Sequence, residues 1–259
     1  MRKSKTLARI ANNETVRMCS LGHFAPAFVK FAAQFGYDCI WLDCEHRNFT
    51  ERDIQTLLVH SHLHDVDIMV RPPTREKAKL YRYLEDGAAG LMIPHVNTAE
   101  QAASLVSSVK FPPLGDRGLD GAGLDADYFA NGPEGVMQFV DEANRETFLV
   151  VQIETPEAMG NIEAIVSTPG VDGIFVGPGD LGLRIQRTET DLTLEAAFET
   201  VAAVCAKHGV AWGTPVGTAE AIAERQRQGG QLLAHGGDFS AMRTALQAGA
   251  ETFNQTPRE

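Results

Sequence analysis

The chain has 259 residues, of which 44% are hydrophobic and 22% charged, and its formal net charge at pH 7 is −11. This length and composition are typical of one large globular domain with a substantial hydrophobic core. The acidic balance and the scattered cationic residues argue against a nucleic-acid backbone or an acidic membrane surface as a partner.

Compartment and processing can be considered from the amino terminus and the cysteines. Residues 1–16 carry basic side chains but lack the apolar segment of a secretory signal, and no apolar run approaches the length of a membrane span. The cysteines form no CxxC pair, so we expect reduced, buried thiols in a cytoplasmic protein. These are Cys19, Cys39, Cys44 and Cys205.

Eight apolar runs recur along the chain, and each is followed by a stretch with helical periodicity. Thr50 is a plausible N-cap for the second helix, and Pro156 stands early in the fifth, where its missing N–H costs nothing. The predicted strands occupy residues 16–21, 39–43, 67–72, 90–96, 148–154, 171–177, 210–216 and 231–237. The predicted helices occupy residues 25–36, 50–64, 75–87, 98–109, 156–167, 194–209, 218–230 and 240–253.

Near-continuous apolar strands that alternate with helices predict a parallel sheet covered on both faces. Eight such units in one chain of this length predict an α/β fold of the (β/α)8 TIM-barrel type, with residues 1–259 forming a single domain. A doubly wound sheet is the rival, but no GxGxxG follows the first strand. Residues 111–147, rich in Gly, Pro and Asp, are expected to form a long loop over the carboxyl-terminal mouth.

In a barrel, chemistry is built where the strands end, so polar residues at those ends are the candidate site. Alternation along the fifth strand places Gln152 and Glu154 on the same side. The candidates are Asp43, Glu45 and His46 at the end of the second strand, Arg71 at the end of the third, His95 at the end of the fourth, Gln152 and Glu154 at the end of the fifth, and Asp180 at the end of the sixth.

Glu154 and Asp180 form a pair of strand-end carboxylates. Two carboxylates suit a hard divalent cation such as Mg2+ or Mn2+, which prefers oxygen ligands. An acid/base pair of the glycosidase kind is a second functional interpretation, and each residue could instead cap the following helix. The sequence GPGD around Asp180 favours the metal.

His46 and Arg71 also have a functional and a structural interpretation. His46 could act as a general base near neutral pH, or it could pack at the start of a loop. Arg71 could clamp a carboxylate or stabilise an oxyanion, or it could form a salt bridge beneath the loops. No lysine stands at a strand end, which disfavours an imine-forming mechanism.

From about residue 17 to residue 182 the sequence resembles the HpcH/HpaI aldolase family. The resemblance is carried, in this order, by YDCIWLDCEH, MVRPP, LEDGAAGLMIPHV, FPPLGDRG and QIETPEAMGNIEAIVSTPGVDGIFVGPGDL. It implies a class II pyruvate aldolase on a TIM barrel, similar to the 2,4-dihydroxyhept-2-ene-1,7-dioate and 2-dehydro-3-deoxyglucarate aldolases. Such an enzyme reversibly cleaves a 4-hydroxy-2-keto acid into pyruvate, or a close 2-keto acid, and an aldehyde. The implied intermediate is a metal-bound enolate, with Mg2+, Mn2+ or Co2+ as cofactor.

The resemblance assigns the metal and the pyruvate half of the site. Glu154 and Asp180 match the family's metal ligands, and Gln152 matches a glutamine close to the metal and the substrate. The backbone amides of Gly179 and Asp180 match those that hold the pyruvate carboxylate. Arg71 matches the arginine that stabilises the pyruvate enolate.

The base and the aldehyde end are assigned in the same way. His46 matches the base that takes a proton from the hydroxyl during cleavage. Asp43 and Glu85 fall where the family places carboxylates around the base and the aldehyde, the latter reaching in from a neighbouring subunit. Asp86 is the alternative to Glu85. The family forms trimers and hexamers with helix exchange, so a homo-oligomer is expected.

Several stretches depart from the family pattern, and they spare the pyruvate half of the site. They are LDGAGLDADYF, which is acidic and lacks Arg, GLRIQRTETDLTLE, which replaces a Gly-rich stretch, CSLGHFAPAF, which lacks a Trp, and Glu85, where an Asp is usual. Two alternatives therefore stay open: an acyl-CoA ester lyase of the citrate lyase or malyl-CoA lyase type, and a non-catalytic keto-acid-binding barrel. The first would need a basic groove for nucleotide phosphates, whereas the mouth-side loops are acidic.

Overall fold

The computed structural model describes residues 1–129 and 132–255, in which eight parallel strands close into a barrel in chain order. The prediction of a (β/α)8 barrel is confirmed, and every predicted strand is present with its ends shifted by three residues at most. The strands are β1 Val16–Leu21, β2 Cys39–Asp43, β3 Asp67–Arg71, β4 Gly90–Ile93, β5 Phe148–Ile153, β6 Gly173–Val176, β7 Ala211–Pro215 and β8 Leu232–Gly237.

Helices cover the outside of the barrel and close its amino end. They are α1 Lys5–Ala11, α2 Pro26–Gln34, α3 Glu51–His64, α4 Lys77–Glu85, α5 Ala99–Val109, α6 Gly132–Glu146, α7 Pro156–Gly160, α8 Ile162–Val166, α9 Pro178–Arg187, α10 Leu194–His208, α11 Ala219–Arg227 and α12 Asp238–Asn254. Thr50 caps α3 as predicted, since its side chain accepts a hydrogen bond from the Asp53 N–H while the Asp53 carboxylate accepts from the Thr50 N–H. The helix predicted over 156–167 is divided at Asn161.

The strands are apolar because both of their faces are buried. Inside the barrel, Met69, Val150 and Phe175 pack with partly buried Trp41, and Leu7 and Ile10 of α1 close this cluster at the amino end. A larger cluster lies between the strands and the surrounding helices. The interior is therefore a packed core, and polar side chains find room only where the strands end.

The segment between α5 and β5 lies at the amino side of the barrel and not over the carboxyl-terminal mouth. It joins the carboxyl end of α5 to the amino end of β5, and its second half is the helix α6. The Glu146 carboxylate accepts a hydrogen bond from the Ser4 N–H at 3.2 Å, and the Ser4 hydroxyl donates to Asp67, the first residue of β3, at 2.7 Å. The prediction of a 111–147 loop over the mouth is wrong, because a segment that follows a helix starts at the amino side of the barrel.

The last helix extends away from the barrel body. In α12 only Asp238 is buried, while the apolar side chains of Phe239, Met242 and Leu246 are exposed. A groove of about 320 Å³ lies beside β1 and β8, where the last helix of a barrel ordinarily packs. The Phe239 ring packs on one side against the His23 ring and the Arg47 guanidinium, whereas Met242 and Leu246 stay exposed. None of the helices in the described ranges is long and apolar enough to cross a bilayer.

Gly213 sits where β7 and β8 approach most closely, since it pairs with Leu232 and an added Cβ would collide with the Leu232 carbonyl oxygen. We expect Gly213→Ala to lower the free energy of unfolding by about 3 kcal/mol, because the two strands must move apart. Urea unfolding measures this change. Gly217→Ala is the matched control, since an added Cβ there meets no atom within 4 Å. Equal stability of Gly213→Ala and the wild type would contradict this account of the β7–β8 contact.

Candidate active site at the carboxyl-terminal mouth

Because successive side chains of a strand alternate between the inside and the outside of the barrel, three polar side chains point inward at the carboxyl-terminal mouth. Trp41, Met69 and Val150 belong to the interior cluster, so Asp43, Arg71 and Gln152, each two positions further along, follow them on the inward side. The parallel register places Asp43 of β2 directly beside Arg71 of β3. Sequence reasoning expected these residues to converge, and the structure brings them together.

Arg71 is held on several sides and is only 7% exposed. Its guanidinium lies 2.9 Å from Asp43 Oδ1 and 3.2 Å from Glu45 Oε2, and its Cζ lies 4.5 Å from the centre of the Trp41 ring. The remaining nitrogen, Nη1, donates to Gln152 Oε1 at 3.4 Å. Two carboxylates and an aromatic face therefore fix one cation so that it faces the end of β5.

Glu154 is a buried carboxylate, 3% exposed, that follows β5. Its Oε1 accepts from Gln152 Nε2 at 3.3 Å, and its Oε2 accepts from the His95 N–H at 3.0 Å. Burial raises the pKa of the Glu154 carboxyl, the His95 hydrogen bond and ring oppose the rise, and Asp180 and Glu45 add to it. The negative charge on Glu154 is thus less stable than in water, which favours a nearby cation.

The glycines after β6 shape the space around Glu154. An added Cβ at Gly177 would collide with Glu154 Oε1, so only glycine lets the carboxylate lie against this turn. An added Cβ at Gly179 would meet no atom within 4 Å. Gly179 and Asp180 stand in the first turn of α9, after Pro178, where backbone N–H groups have no partner within the helix. Such N–H groups form a ready site for an anion.

Glu154 and Asp180 fit a hard divalent cation. They supply oxygen donors, and Glu154 is a buried carboxylate with a raised pKa in a cradle that a Cβ at Gly177 would fill. Within the described ranges no three His, Cys, Asp or Glu side chains are grouped as metal ligands. A cation here would therefore have two protein carboxylates and would take its other ligands from water or substrate, as Mg2+ commonly does.

His46 stands at the open side of the mouth, and its side chain is 54% exposed. Its backbone N–H donates to Asp43 Oδ1 at 3.2 Å, and its Nε2 lies 3.5 Å from Glu45 Oε2. Asp43 thus holds the His46 backbone beside Arg71, and Glu45 Oε2 lies near both the imidazole and the guanidinium. This arrangement lets one group take up a proton while the other faces a developing negative charge.

Glu85 is not part of this mouth. It is the last residue of α4, which returns from the mouth to the amino side of the barrel, and it lines a groove of about 780 Å³ on the outside. Burial raises the pKa of Glu85, and the nearby Arg117 opposes the rise. The neighbouring Asp86 accepts a hydrogen bond from Gln55 at 2.9 Å. Within one chain, the structure separates both acids from the other candidate residues.

Glu45 and His95 were strand-end candidates to which the sequence assigned no role, and the structure places both in contact with other residues of the site. Glu45 contacts Arg71 and His46, and its Oε1 lies 3.6 Å from His95 Nε2. His95 Nδ1 lies 3.2 Å from Glu154 Oε2, and the His95 backbone has a φ of 57°, in the left-handed region. Both residues follow the end of a strand, where alternation no longer predicts direction. Their positions after β2 and β4 were the signal available.

The chain is similar in sequence and in fold to known aldolases. The family model described as HpcH/HpaI aldolase/citrate lyase matches residues 17–245. The 5-keto-4-deoxy-D-glucarate aldolase of Klebsiella pneumoniae is 32% identical over 92% of this chain and 91% of its own. The 2-keto-3-deoxy-L-rhamnonate aldolase of Salmonella paratyphi B is 36% identical over 60% of this chain and 57% of its own. The crystal structure of an HpcH/HpaI aldolase from Desulfitobacterium hafniense superimposes with a TM-score of 0.87 at 30% identity, covering 96% of each chain.

The raised pKa of Glu154 has a consequence for stability. A carboxyl whose pKa is higher in the folded state stabilises the fold below its unfolded pKa, and this contribution is lost as the pH rises through the folded pKa. In chelator-treated protein we therefore expect Glu154→Gln to gain stability relative to the wild type as the pH rises above the ordinary range of a glutamate carboxyl. Urea unfolding at several pH values measures the difference.

The control for this series is Glu157→Gln, which removes an exposed carboxylate from α7. A Glu154→Gln difference that stays constant with pH would show that burial does not destabilise the Glu154 carboxylate.

Proposed function

Because the chain belongs to the HpcH/HpaI aldolase/citrate lyase family, we propose that the mouth of its barrel is the active site of a divalent-metal-dependent pyruvate aldolase. Family membership and aldolase relatives make the protein a carbon–carbon lyase. Its substrate is a 4-hydroxy-2-keto acid, and its products are pyruvate, or a close 2-keto acid, and an aldehyde. The names of the two relatives support a deoxy sugar acid as the substrate class.

A single observation carries the proposal: Arg71 is fixed by Asp43 and Glu45 and connects through Gln152 to Glu154. A guanidinium held in one orientation beside a buried carboxylate can stabilise the negative charge of a developing enolate. A merely structural salt bridge would satisfy Arg71 with Asp43 and Glu45 alone. The further contact with Gln152 directs the guanidinium toward the cation site.

Glu154 and Asp180 would hold the divalent ion, which supplies Lewis-acid stabilisation of negative charge on the substrate's keto oxygen. The backbone N–H groups of Gly179 and Asp180 bind the substrate carboxylate at the amino end of α9. Gln152 orients the Glu154 carboxylate by its hydrogen bond to Oε1. These contacts place the keto acid with its C4 hydroxyl toward β2.

His46 then removes the proton from the C4 hydroxyl, and that oxygen becomes the carbonyl oxygen of the leaving aldehyde. The C3–C4 bond breaks, and its electron pair passes to the three-carbon fragment as the enolate of pyruvate. Arg71 donates hydrogen bonds to the enolate oxygen as its charge grows. The enolate carbon takes up a proton from solvent to give pyruvate, and His46 returns its proton to solvent; the reverse sequence forms the carbon–carbon bond.

The exposed stripe of α12 supports a homo-oligomer. Met242, Leu246 and the exposed half of Phe239 present apolar area that the barrel of the same chain does not cover, and the seam beside β1 and β8 holds a groove. We infer a trimer or hexamer in which α12 packs on a neighbouring barrel. In such an assembly Glu85, or Asp86, acts at a neighbour's mouth.

The first test of this function is metal-dependent turnover. We expect chelator-treated protein to release no pyruvate from a panel of 4-hydroxy-2-keto acids, and added Mg2+, Mn2+ or Co2+ to restore release. His46→Ala should lower the rate between about 10²- and 10⁴-fold, because the base is lost. The control is His208→Ala, at the carboxyl end of α10, where His208 pairs with Glu163. Absence of release with every substrate and metal would contradict the proposal, as would full activity of His46→Ala.

The oligomer is tested separately. We expect Leu246→Asp to reduce the molar mass measured by light scattering toward that of one chain, because a charge replaces apolar contact area on α12. Gln247→Asp is the matched control, since Gln247 is an exposed polar residue of the same helix. An unchanged mass for Leu246→Asp, or an equal loss of mass in the control, would contradict packing through this stripe.

A further inference from the structure

Arg184 contacts both of the residues that would hold the divalent cation. It stands on α9 one turn after Asp180, and its Nη1 donates to Asp180 Oδ1 at 2.5 Å. The same nitrogen lies 3.4 Å from the backbone carbonyl oxygen of Glu154. One guanidinium therefore bridges the end of β5 and the first turn of α9.

The two cation ligands differ in how firmly the rest of the chain holds them. Glu154 is buried and bonded to Gln152 and His95, whereas the Asp180 side chain is 43% exposed. An exposed carboxylate would otherwise rotate among several conformations, and ordering it on cation binding would cost entropy. The contact with Arg184 fixes Oδ1 in advance and leaves the other oxygen of Asp180 for a cation.

The positive charge of Arg184 opposes a nearby cation, but this effect is limited. The Arg184 side chain is 36% exposed, so water screens its charge, while the hydrogen bond that orients Asp180 remains. Partners that hydrogen-bond to metal-binding carboxylates commonly raise metal affinity, and their loss lowers it about 10- to 100-fold. Orientation is therefore the larger of the two effects.

We propose that Arg184 is a positioning residue for the divalent-cation site, which holds Asp180 and the end of β5 in the geometry that a cation requires. The proposal rests on the cation site of the proposed function. It concerns a residue in the stretch after GDL, GLRIQRTETDLTLE, in which this sequence departs from the family pattern. Arg184 thereby gives Asp180 an orienting contact from within α9.

The experiment is a titration of the chelator-treated full chain with Mn2+, with the free ion followed by electron paramagnetic resonance. We expect Arg184→Gln to bind Mn2+ about tenfold more weakly than the wild type, because Asp180 loses its orienting partner. Arg184→Lys retains one charged donor and should recover part of the affinity. Arg187→Gln removes an exposed arginine from the last turn of the same helix and should bind like the wild type.

Each outcome bears on the proposal. Equal or tighter Mn2+ binding by Arg184→Gln, or an equal loss in Arg187→Gln, overturns the positioning role while the cation site stands. Failure of the wild type to bind Mn2+ overturns the cation site itself, and the role of Arg184 with it. Circular dichroism verifies the fold of each variant, and Arg184→Lys, the smaller change, decides if Arg184→Gln does not fold.

Discussion

The clamp around the Arg71 guanidinium is the interaction on which the arrangement of the mouth depends. Asp43 and Glu45 come from the end of β2 and Gln152 from β5, so one side chain of β3 connects different parts of the barrel wall. Removing one buried charged side chain from such a network leaves the remaining charges unpaired. The resulting loss of folding free energy is larger than the contribution of any single contact. Because Asp43 also holds the backbone of His46, the position of the proposed base depends on the same clamp.

The site retains groups that oppose folding. Burial and neighbouring acids destabilise the charge on Glu154, and His95 adopts a left-handed backbone conformation that non-glycine residues rarely take. The hydrophobic layers inside and outside the strands supply the stability that permits this. Functional sites commonly lower the stability of the fold. Here a buried carboxylate without a compensating charge destabilises the folded state, and the same carboxylate attracts a cation.

The strands could be predicted because buried parallel strands are continuous apolar runs, and Asp43, Arg71 and Gln152 could be predicted because they stand where strands end, with alternation placing Gln152 and Glu154 on one side. No role could be assigned to Glu45 or His95 from the sequence, because both follow the last paired residue of a strand and their directions depend on the local turn. The helix α6 was missed because Gly, Pro and Asp in the preceding residues resemble a loop. The placement of 111–147 failed for a topological reason, since the segment follows a helix and so starts at the amino side.

The last helix has a consequence for how the molecule responds to dilution. In the proposed oligomer the exposed apolar area of α12 is covered only when copies meet, so the free energy gained there would follow mass action. The melting temperature of such a chain rises with the logarithm of its concentration. The protein in a dilute assay is therefore less stable than the same protein at the higher concentration of the cell. The thermal stability of this barrel is then a property of the population of chains.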